Sequence, residues 1–374
     1  MSSPHAPGMK DIACLPDSRQ ECIARYGHMS QVARLKRLVL MDGKAAGTEA
    51  VDIDTGGGLC LTVLPGRGMD IAWASYRGIP LSYIAKPGLV SASYHDPRGM
   101  QWLKSFFGGL LTTCGLGNAG PPCEAELPIL GATPFGLHGD ISNTAADNVC
   151  LTERWDESGR YRMQVSGRVQ EGRLHAEHLE MRRTLSTCLG SRSLKVTDEF
   201  CNLGDTAQPL MFFYHINLGY PILSETSRFL SKSLRITPAN PAARAGLPGH
   251  DVFTGPVQGA AEQQFYHEMA VDGEGLATVA LVNEPLGLGV FLRYAPSQLP
   301  CFAQWKVLRT GEYVLAFEPG NCHPIGRAAQ EKSPGFEWLA PAQTKAVNYE
   351  IGVLDGPAEL ARIARELAME GRPE

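Results

Sequence analysis

Short apolar segments broken by Gly, Pro and Asn make up most of the chain. Residues 59–64 form an apolar run that ends at Pro65 and Gly66. Six further segments have a similar texture: 165–185, 194–201, 210–218, 277–282, 289–294 and 313–317. Runs of apolar, β-branched and aromatic residues bounded by turn residues are typical of β strands. Several are apolar on both faces, as expected of strands enclosed between two layers. The pattern predicts an all-β, mainly antiparallel protein.

Helical periodicity is clear near the C-terminus. A helix beginning at Pro357 would collect four apolar residues on one stripe: Leu360, Ile363, Ala364 and Leu367. Proline suits the first turn of a helix, where its missing N–H is not needed. A second, shorter helix is predicted around residues 19–26. Because no fixed repeat or change of composition divides the rest, we predict three parts: a lead-in (1–25), one large β domain (26–355) and a C-terminal helix and tail (356–374).

Composition and charge narrow the class of protein. The 41 Gly and 26 Pro among 374 residues exceed average usage, as in a turn-rich β protein. The formal charge of −5 argues against a nucleic-acid partner, which needs a basic surface. No apolar stretch or N-terminal signal predicts a membrane span or secretion. The ten scattered cysteines form no C-x-x-C pair, so we expect a cytoplasmic protein with no structural zinc and no obligatory disulfide.

His138 lies in a glycine-rich stretch, Phe-Gly-Leu-His-Gly-Asp at 135–140, which follows another such stretch at 107–120. A histidine flanked by glycines lies where the backbone can approach a ligand closely. His138 is therefore a candidate binding residue. The alternative is a histidine that caps the backbone of its own turn.

His215 and Asn217 belong to an apolar segment. If residues 211–218 form a strand, the two-residue period places both on one face with Met211 and Phe213. Burial there would favour a neutral imidazole suited to donating or accepting a proton. The alternative is a hydrogen-bonded histidine of the core.

Glu318 ends an apolar strand and is followed by Pro319 and Gly320, which are predicted to stop that strand. A carboxyl group at a buried strand end should have a raised pKa and would suit general-base catalysis. The alternative is a salt bridge at the rim of the protein, to Arg327 or Lys306.

Four further residues are candidates for a site. Arg67 and Asp70 share a tight turn and could reach a cleft or pair with each other. Trp102 and Trp305 could stack on a sugar ring or pack in the core. The phosphate-binding loop, the H-E-x-x-H zinc motif and the G-x-S-x-G nucleophile motif are absent from the sequence.

Taken together, these stretches resemble the aldose 1-epimerase (galactose mutarotase-like) superfamily, and more closely its DUF4432 branch. The resemblance covers roughly residues 25–355. It rests on seven blocks in the same order along the chain: 27–31, 64–71, 109–115, 137–139, 214–221, 305–306 and 313–320. It implies a β-supersandwich with a few short helices.

The resemblance also implies roles for individual residues. His138 matches the substrate-binding histidine of a Leu-His-Gly-Gly element, although Asp140 replaces the second glycine. His215 resembles the strand histidine that protonates the sugar ring oxygen, and Glu318 matches the glutamate that takes the proton of the anomeric hydroxyl. The family's substrate-binding aspartate has no clear counterpart; Asp251 is the candidate. We predict His215 and Glu318 as catalytic and six residues as substrate-binding: His138, Arg67, Asp70, Asn217, Trp305 and Lys306.

The function implied is acid–base ring opening and interconversion of the anomers of a sugar or sugar derivative. Such chemistry requires neither a metal nor a nucleotide cofactor. The expected partner is a small carbohydrate, with no nucleic acid and no membrane, and the oligomeric state stays open. Two alternatives are an epimerase or aldose–ketose isomerase acting on an open-chain or keto sugar, and a non-catalytic carbohydrate-binding protein.

Overall fold

The computed structural model describes residues 15–16 and 18–368, and β strands form most of it. The strands of the first half are β1 (Arg34–Val39), β2 (Glu49–Asp54), β3 (Leu59–Leu64), β4 (Asp70–Tyr76), β5 (Ile79–Pro80), β6 (Thr112–Gly115), β7 (Cys123–Leu127), β8 (Gly131–Phe135), β9 (Asp147–Trp155), β10 (Tyr161–Gly172), β11 (His178–Cys188) and β12 (Ser193–Asn202). Those of the second half are β13 (Gln208–Pro209), β14 (Phe212–Leu218), β15 (Ser227–Ser231), β16 (Ser233–Pro238), β17 (Gln263–Met269), β18 (Ala277–Asn283), β19 (Leu288–Tyr294), β20 (Cys301–Arg309), β21 (Glu312–Gly320), β22 (Trp338–Leu339) and β23 (Thr344–Asp355).

Three large sheets carry the architecture. β1 to β5 form a five-stranded meander, and the order β15-β18-β19-β23-β12-β11-β10-β9 makes an eight-stranded sheet. A six-stranded sheet has the order β16-β17-β20-β21-β14-β6, and two small ribbons pair β13 with β22 and β7 with β8. Every pairing between these strands is antiparallel. The all-β, mainly antiparallel prediction is confirmed.

The main core lies between the eight-stranded and six-stranded sheets. Its largest apolar cluster joins Phe200 and Ile351 of the first sheet to Tyr214, Phe302 and Phe317 of the second. Successive residues of a strand point to opposite faces, so the neighbours of these core residues point out of the six-stranded sheet. That outward face forms the floor of the cleft described below.

A buried charged network also joins the sheets. Arg183 of β11 donates to both carboxylate oxygens of Asp198 on β12, at 2.8 and 2.6 Å. The Tyr214 hydroxyl of β14 donates to the same carboxylate at 2.6 Å. Arg183 and Asp198 have no exposed surface. Pairing and hydrogen bonding offset the cost of burying these charges and tie β14 to the opposite sheet.

In the part of the chain that the structure describes, four α-helices lie around the sheets: α1 (Arg19–Arg25), α2 (Pro241–Gly246), α3 (Arg327–Gln330) and α4 (Pro357–Glu366). Leu360, Ile363 and Leu367 of the predicted stripe pack against Ala280 and neighbouring residues of the eight-stranded sheet. None of the described helices has the length and apolar character that crossing a bilayer demands. Residues 1–14 and 17 of the predicted lead-in and 369–374 of the tail lie outside the described residues.

Two strand predictions need correction. Residues 165–185 are a hairpin of β10 and β11 joined by a turn, in which His175 has a φ of 67°. β21 also runs on through Pro319 to Gly320, because both residues still pair with β20. Proline lacks a backbone N–H donor but keeps its carbonyl acceptor. Pro319 therefore removes one possible hydrogen bond from the sheet without ending the strand.

Candidate active site

The cleft occupies about 520 Å³ and is floored by the outer face of the six-stranded sheet. His215 of β14, Glu318 of β21 and Trp305 of β20 project into it from three neighbouring strands. Tyr214 and Phe317, which alternate with the first two, point into the core. The predicted division of residues 211–218 between two faces is confirmed, since Met211 and Phe213 pack in a separate cluster on the cleft side.

His215 and Glu318 form the centre of the cleft. β14 pairs with β21 at Phe213–Gly320 and again at Ile216–Phe317, so the register sets His215 opposite Glu318. His215 Nε2 lies 3.1 Å from Glu318 Oε1, within hydrogen-bond range. Both side chains are almost fully enclosed, at 7% and 2% exposure. Glu318 pairs with neither Arg327 nor Lys306, which bond to other groups.

Burial shifts the pKa values of this pair in opposite directions. Desolvation raises the pKa of Glu318 to about 8 and lowers that of His215 to about 4, because a buried site disfavours each charged form. At neutral pH the pair therefore holds one proton, carried by the carboxyl group and shared with the imidazole. Transfer of that proton from Glu318 to His215 gives a carboxylate and an imidazolium. The two groups titrate as a unit.

Two residues that the sequence analysis missed surround Glu318. Gln264 of β17 donates from Nε2 to Glu318 Oε2 at 3.0 Å, which orients the carboxyl group. Glu262 accepts from Trp305 Nε1 at 3.2 Å, and its nearby charge further raises the pKa of Glu318. The alternation of Gln264 with Phe265, a core residue, is the signal that could have placed Gln264 on the cleft face.

His138 enters the cleft from the predicted glycine-rich turn. Its φ is 58°, and the next residue, Gly139, has a φ of 68° with no room for a Cβ, which would lie 2.3 Å from Gly115 O. The Gly120 N–H donates to His138 Nδ1 at 3.2 Å, so Nε2 carries the proton of the neutral ring. Burial lowers the pKa of His138 to about 3, which keeps it neutral. The ring thus offers one N–H donor to a ligand.

Aromatic rings form much of the cleft wall. Trp102 stacks on Phe106 with ring centroids 4.7 Å apart and meets His138 edge-on at 4.8 Å. His215 lies between Phe106, at 5.4 Å, and Trp305, at 5.1 Å. Such faces suit the apolar side of a pyranose ring while holding the two histidines in place.

Arg67 and Asp70 lie outside the cleft, and their predicted role in binding substrate is not supported. Arg67 is 1% exposed and donates to the carbonyl oxygens of Ser142, Val90 and Ser105. Asp70 is fully buried and accepts from Thr113 and Arg183. The tight turn directs both side chains into the protein, where Arg67 holds loops together and Asp70 joins β6 to β11.

Three other candidate substrate-binding residues do not line the cleft: Lys306, Asn217 and Asp251. Lys306 follows Trp305 and so points to the other face of β20, where its ammonium donates to the carbonyl of Gly249 at 2.9 Å. Asn217 is buried on the His215 side and donates to the backbone carbonyl of His215 at 2.9 Å, so it supports the strand. Asp251 lies beside Lys306, behind the sheet.

Within residues 15–16 and 18–368, no three His, Cys, Asp or Glu side chains come close enough to hold a metal ion. The described cysteines are free thiols. A second cavity of about 390 Å³ lies on the outer face of β10 to β12, lined by Arg168 and Arg182 among others. Those arginines pair with Asp147 and Glu180. The cleft around His215 is the better candidate because it combines shifted pKa values with converging polar groups.

Comparison with solved structures defines the class: the protein has the galactose mutarotase-like fold. A Klebsiella pneumoniae protein described as a "putative aldose 1-epimerase" matches with a TM-score of 0.83 at 25% identity, over 91% of this chain and 88% of its own. A galactose mutarotase-like protein from Clostridium acetobutylicum has a TM-score of 0.61 at 14% identity, over 87% and 99% of the two chains. Galactose 1-epimerase from Lactobacillus acidophilus has a TM-score of 0.55 at 11% identity, over 87% and 100%.

The family follows from the sequence. The family model described as "Domain of unknown function (DUF4432)" matches residues 45–353, so the chain belongs to the DUF4432 family, as predicted. A search of curated proteins finds no match.

Proposed function

We propose that this protein is an aldose 1-epimerase-like enzyme, which interconverts the anomers of a sugar or sugar derivative. The observation that carries the proposal is the His215–Glu318 pair, 3.1 Å apart and buried at the centre of a cleft. A buried pair that holds one proton is the minimal machinery for moving one proton from a hydroxyl group to a ring oxygen. The fold neighbours named as epimerases and mutarotases add support.

The reaction balances without a co-reactant. In the ion-pair form, the Glu318 carboxylate takes the proton of the anomeric hydroxyl while the His215 imidazolium protonates the ring oxygen. The bond between C1 and the ring oxygen breaks, and the aldehyde forms. Rotation about C1–C2 and the reverse transfers then close the ring as the other anomer. The proton taken up by Glu318 and the one released by His215 cancel over the cycle.

The remaining cleft residues hold the sugar in place. The His138 N–H donates to a hydroxyl group, and Trp305 supports one face of the ring. Gln264 keeps the Glu318 carboxyl group turned toward the substrate, since one of its oxygens is already held by the amide. None of these roles needs a metal or a nucleotide.

The test is a panel of freshly dissolved single anomers, followed by NMR or polarimetry at a pH where spontaneous mutarotation is slow. We expect at least one sugar to equilibrate faster with the enzyme than with the Glu318→Gln variant. Incubation in D₂O separates the alternatives, because an epimerase or ketose isomerase would introduce deuterium at carbon. Sugar binding with neither activity would instead indicate a carbohydrate-binding protein.

A further inference from the structure

The cleft is longer than one sugar ring. Glu318 and Glu312 lie on the same face of β21, six residues apart, and both line the cleft. Six residues of an extended strand cover roughly 20 Å. A single pyranose spans less than half of that distance. A sugar held at the His215–Glu318 pair therefore leaves the far part of the cleft unfilled.

The far end is positively charged. The Lys86 ammonium donates to Glu312 Oε1 at 2.8 Å, and the Arg309 guanidinium donates to Glu312 Oε2 at 2.8 Å. These contacts lower the pKa of Glu312, so it stays ionised. Two cations therefore share one carboxylate, and the cluster of Lys86, Arg309 and Glu312 has a net charge of +1.

This cationic cluster has donors to spare. Lys86 has three N–H donors and its described bond to Glu312 uses one of them. Arg309 also donates from Nε to the Ala260 carbonyl, which fixes the guanidinium, and its Nη2 group takes part in none of the described bonds. A planar guanidinium held in this way suits an incoming carboxylate or phosphate.

The charged groups are distributed unevenly along the length of the cleft. Glu262 accepts from Trp305 Nε1, and the register of β17 on β20 places it beside Trp305 and Val307, so its negative charge lies in the middle of the cleft. Trp305 and Val307 lie between that end and Arg309 on the same face of β20. The cationic cluster therefore lies at the end of the cleft away from the catalytic pair, with Glu262 between the two.

We propose that the ligand is an acidic disaccharide or a compound of the same shape. Its reducing sugar lies at His215 and Glu318, and an anionic group on its far residue contacts Lys86 and Arg309. The placement of the reducing sugar rests on the proposed function. The preference for an acidic far end rests on the cationic cluster alone.

The experiment measures binding to the full-length protein by titration calorimetry with matched pairs. One pair is glucuronosyl-glucose with glucosyl-glucose, and the other is glucuronosyl-galactose with glucosyl-galactose. The 6′-phosphate of glucosyl-glucose separates a phosphate from a carboxylate. We expect the acidic member of at least one set to bind about tenfold more tightly than its neutral partner, with a preference that declines as salt is added.

Variants assign the preference to the cluster. Lys86→Gln and Arg309→Gln should each reduce it, whereas Lys86→Arg should keep most of it. The matched control is Arg293→Gln, which removes a comparably exposed arginine that pairs with Asp272 on the eight-stranded sheet. A preference below twofold in every set, a preference that survives Lys86→Gln and Arg309→Gln, or no binding at millimolar concentration would overturn the proposal.

Polarimetry on the same ligands separates the two proposals. Tight, charge-dependent binding without faster mutarotation would retain the acidic-ligand inference and contradict the proposed function. Faster mutarotation of neutral sugars, with no tighter binding of acidic ligands, would retain the proposed function and contradict the acidic-ligand inference.

Discussion

His215 and Glu318 face each other across two adjacent antiparallel strands, with Nε2 and Oε1 3.1 Å apart. The backbone register positions both groups before a sugar arrives. Gln264, on a third strand of the same sheet, holds the second carboxyl oxygen. A site built on paired strands keeps its geometry better than one built on loops. The predictions below follow from this arrangement.

Replacing either member of the pair should remove most of the turnover. Glu318→Gln keeps the shape of the side chain but cannot accept a proton, and His215→Asn cannot deliver one. We expect kcat to fall at least ~10²-fold in each variant, with a much smaller effect on sugar binding. The double variant should lose little more than either single one, because the two groups act in one proton transfer. Near-wild-type turnover by Glu318→Gln would make Glu318 a structural carboxyl group.

The pH dependence of kcat/KM should be bell-shaped. Below a pH of about 4, His215 is protonated as well as Glu318, so the pair holds two protons. Above a pH of about 8, Glu318 loses its proton and the pair holds none. The active one-proton state therefore dominates between these limits. The measurement is enzymatic mutarotation after subtraction of the spontaneous rate, with circular dichroism to confirm folding at each pH. A rate that still rises between pH 8 and 10 would contradict this assignment.

Glu318 should lower the stability of the protein at alkaline pH. The folded pKa of about 8 lies above the ordinary value of 4.5, so the unfolded chain releases this proton first. Wild-type stability therefore falls as pH rises from about 4.5 to 8, by up to a few kcal/mol. Glu318→Gln lacks this loss. The lowered pKa of His215 acts in the opposite direction between about 4 and 6.5 and, to first order, is common to both proteins.

The check is thermal unfolding of both proteins from pH 5 to 9. The Tm of Glu318→Gln minus that of the wild type should increase by a few °C over this range. Glu268→Gln, which removes a carboxyl group that is 65% exposed, is the control and should leave the difference flat. A flat difference for Glu318→Gln would mean that Glu318 is ionised in the folded protein.

Trp305 and Lys306 should give opposite phenotypes although they are adjacent in the chain. Trp305→Leu removes a cleft wall and should weaken sugar binding by about tenfold or more with little change in Tm. Lys306→Met leaves part-buried carbonyls such as that of Gly249 without their donor and should lower the free energy of unfolding by about 1–3 kcal/mol. Sugar titration and thermal unfolding on both variants test this. Loss of sugar binding by well-folded Lys306→Met would place Lys306 at the substrate.

The sequence was informative where a local rule determines the structure. Alternation alone separated His215 from Tyr214, and the amphipathic stripe located α4. Glycines around His138 marked a turn with positive φ. These inferences depend on neighbours in the chain, and the structure agrees with each of them.

The sequence was uninformative where the contacts of a side chain depend on strands that are distant in the chain. Arg67 and Lys306 matched blocks of the family, but their side chains donate hydrogen bonds to carbonyl groups of distant loops. Gln264 carries no motif, and its contact with Glu318 arises because β17, β20 and β21 are neighbours in the sheet. Such pairings depend on the topology, which no local pattern specifies.

The buried contact of Tyr214 with Asp198 bears on how this scaffold could be redesigned. It fastens the back of the His215 strand to the opposite sheet, while the front of the same strand faces the ligand. Residues that face the core and residues that face the ligand alternate along β14, β20 and β21. A library that varies the front positions, such as Phe213, Trp305 and Val307, would leave every inward-facing position of these strands unchanged. Ligand preference can therefore be altered in small steps while the core between the two large sheets keeps its residues.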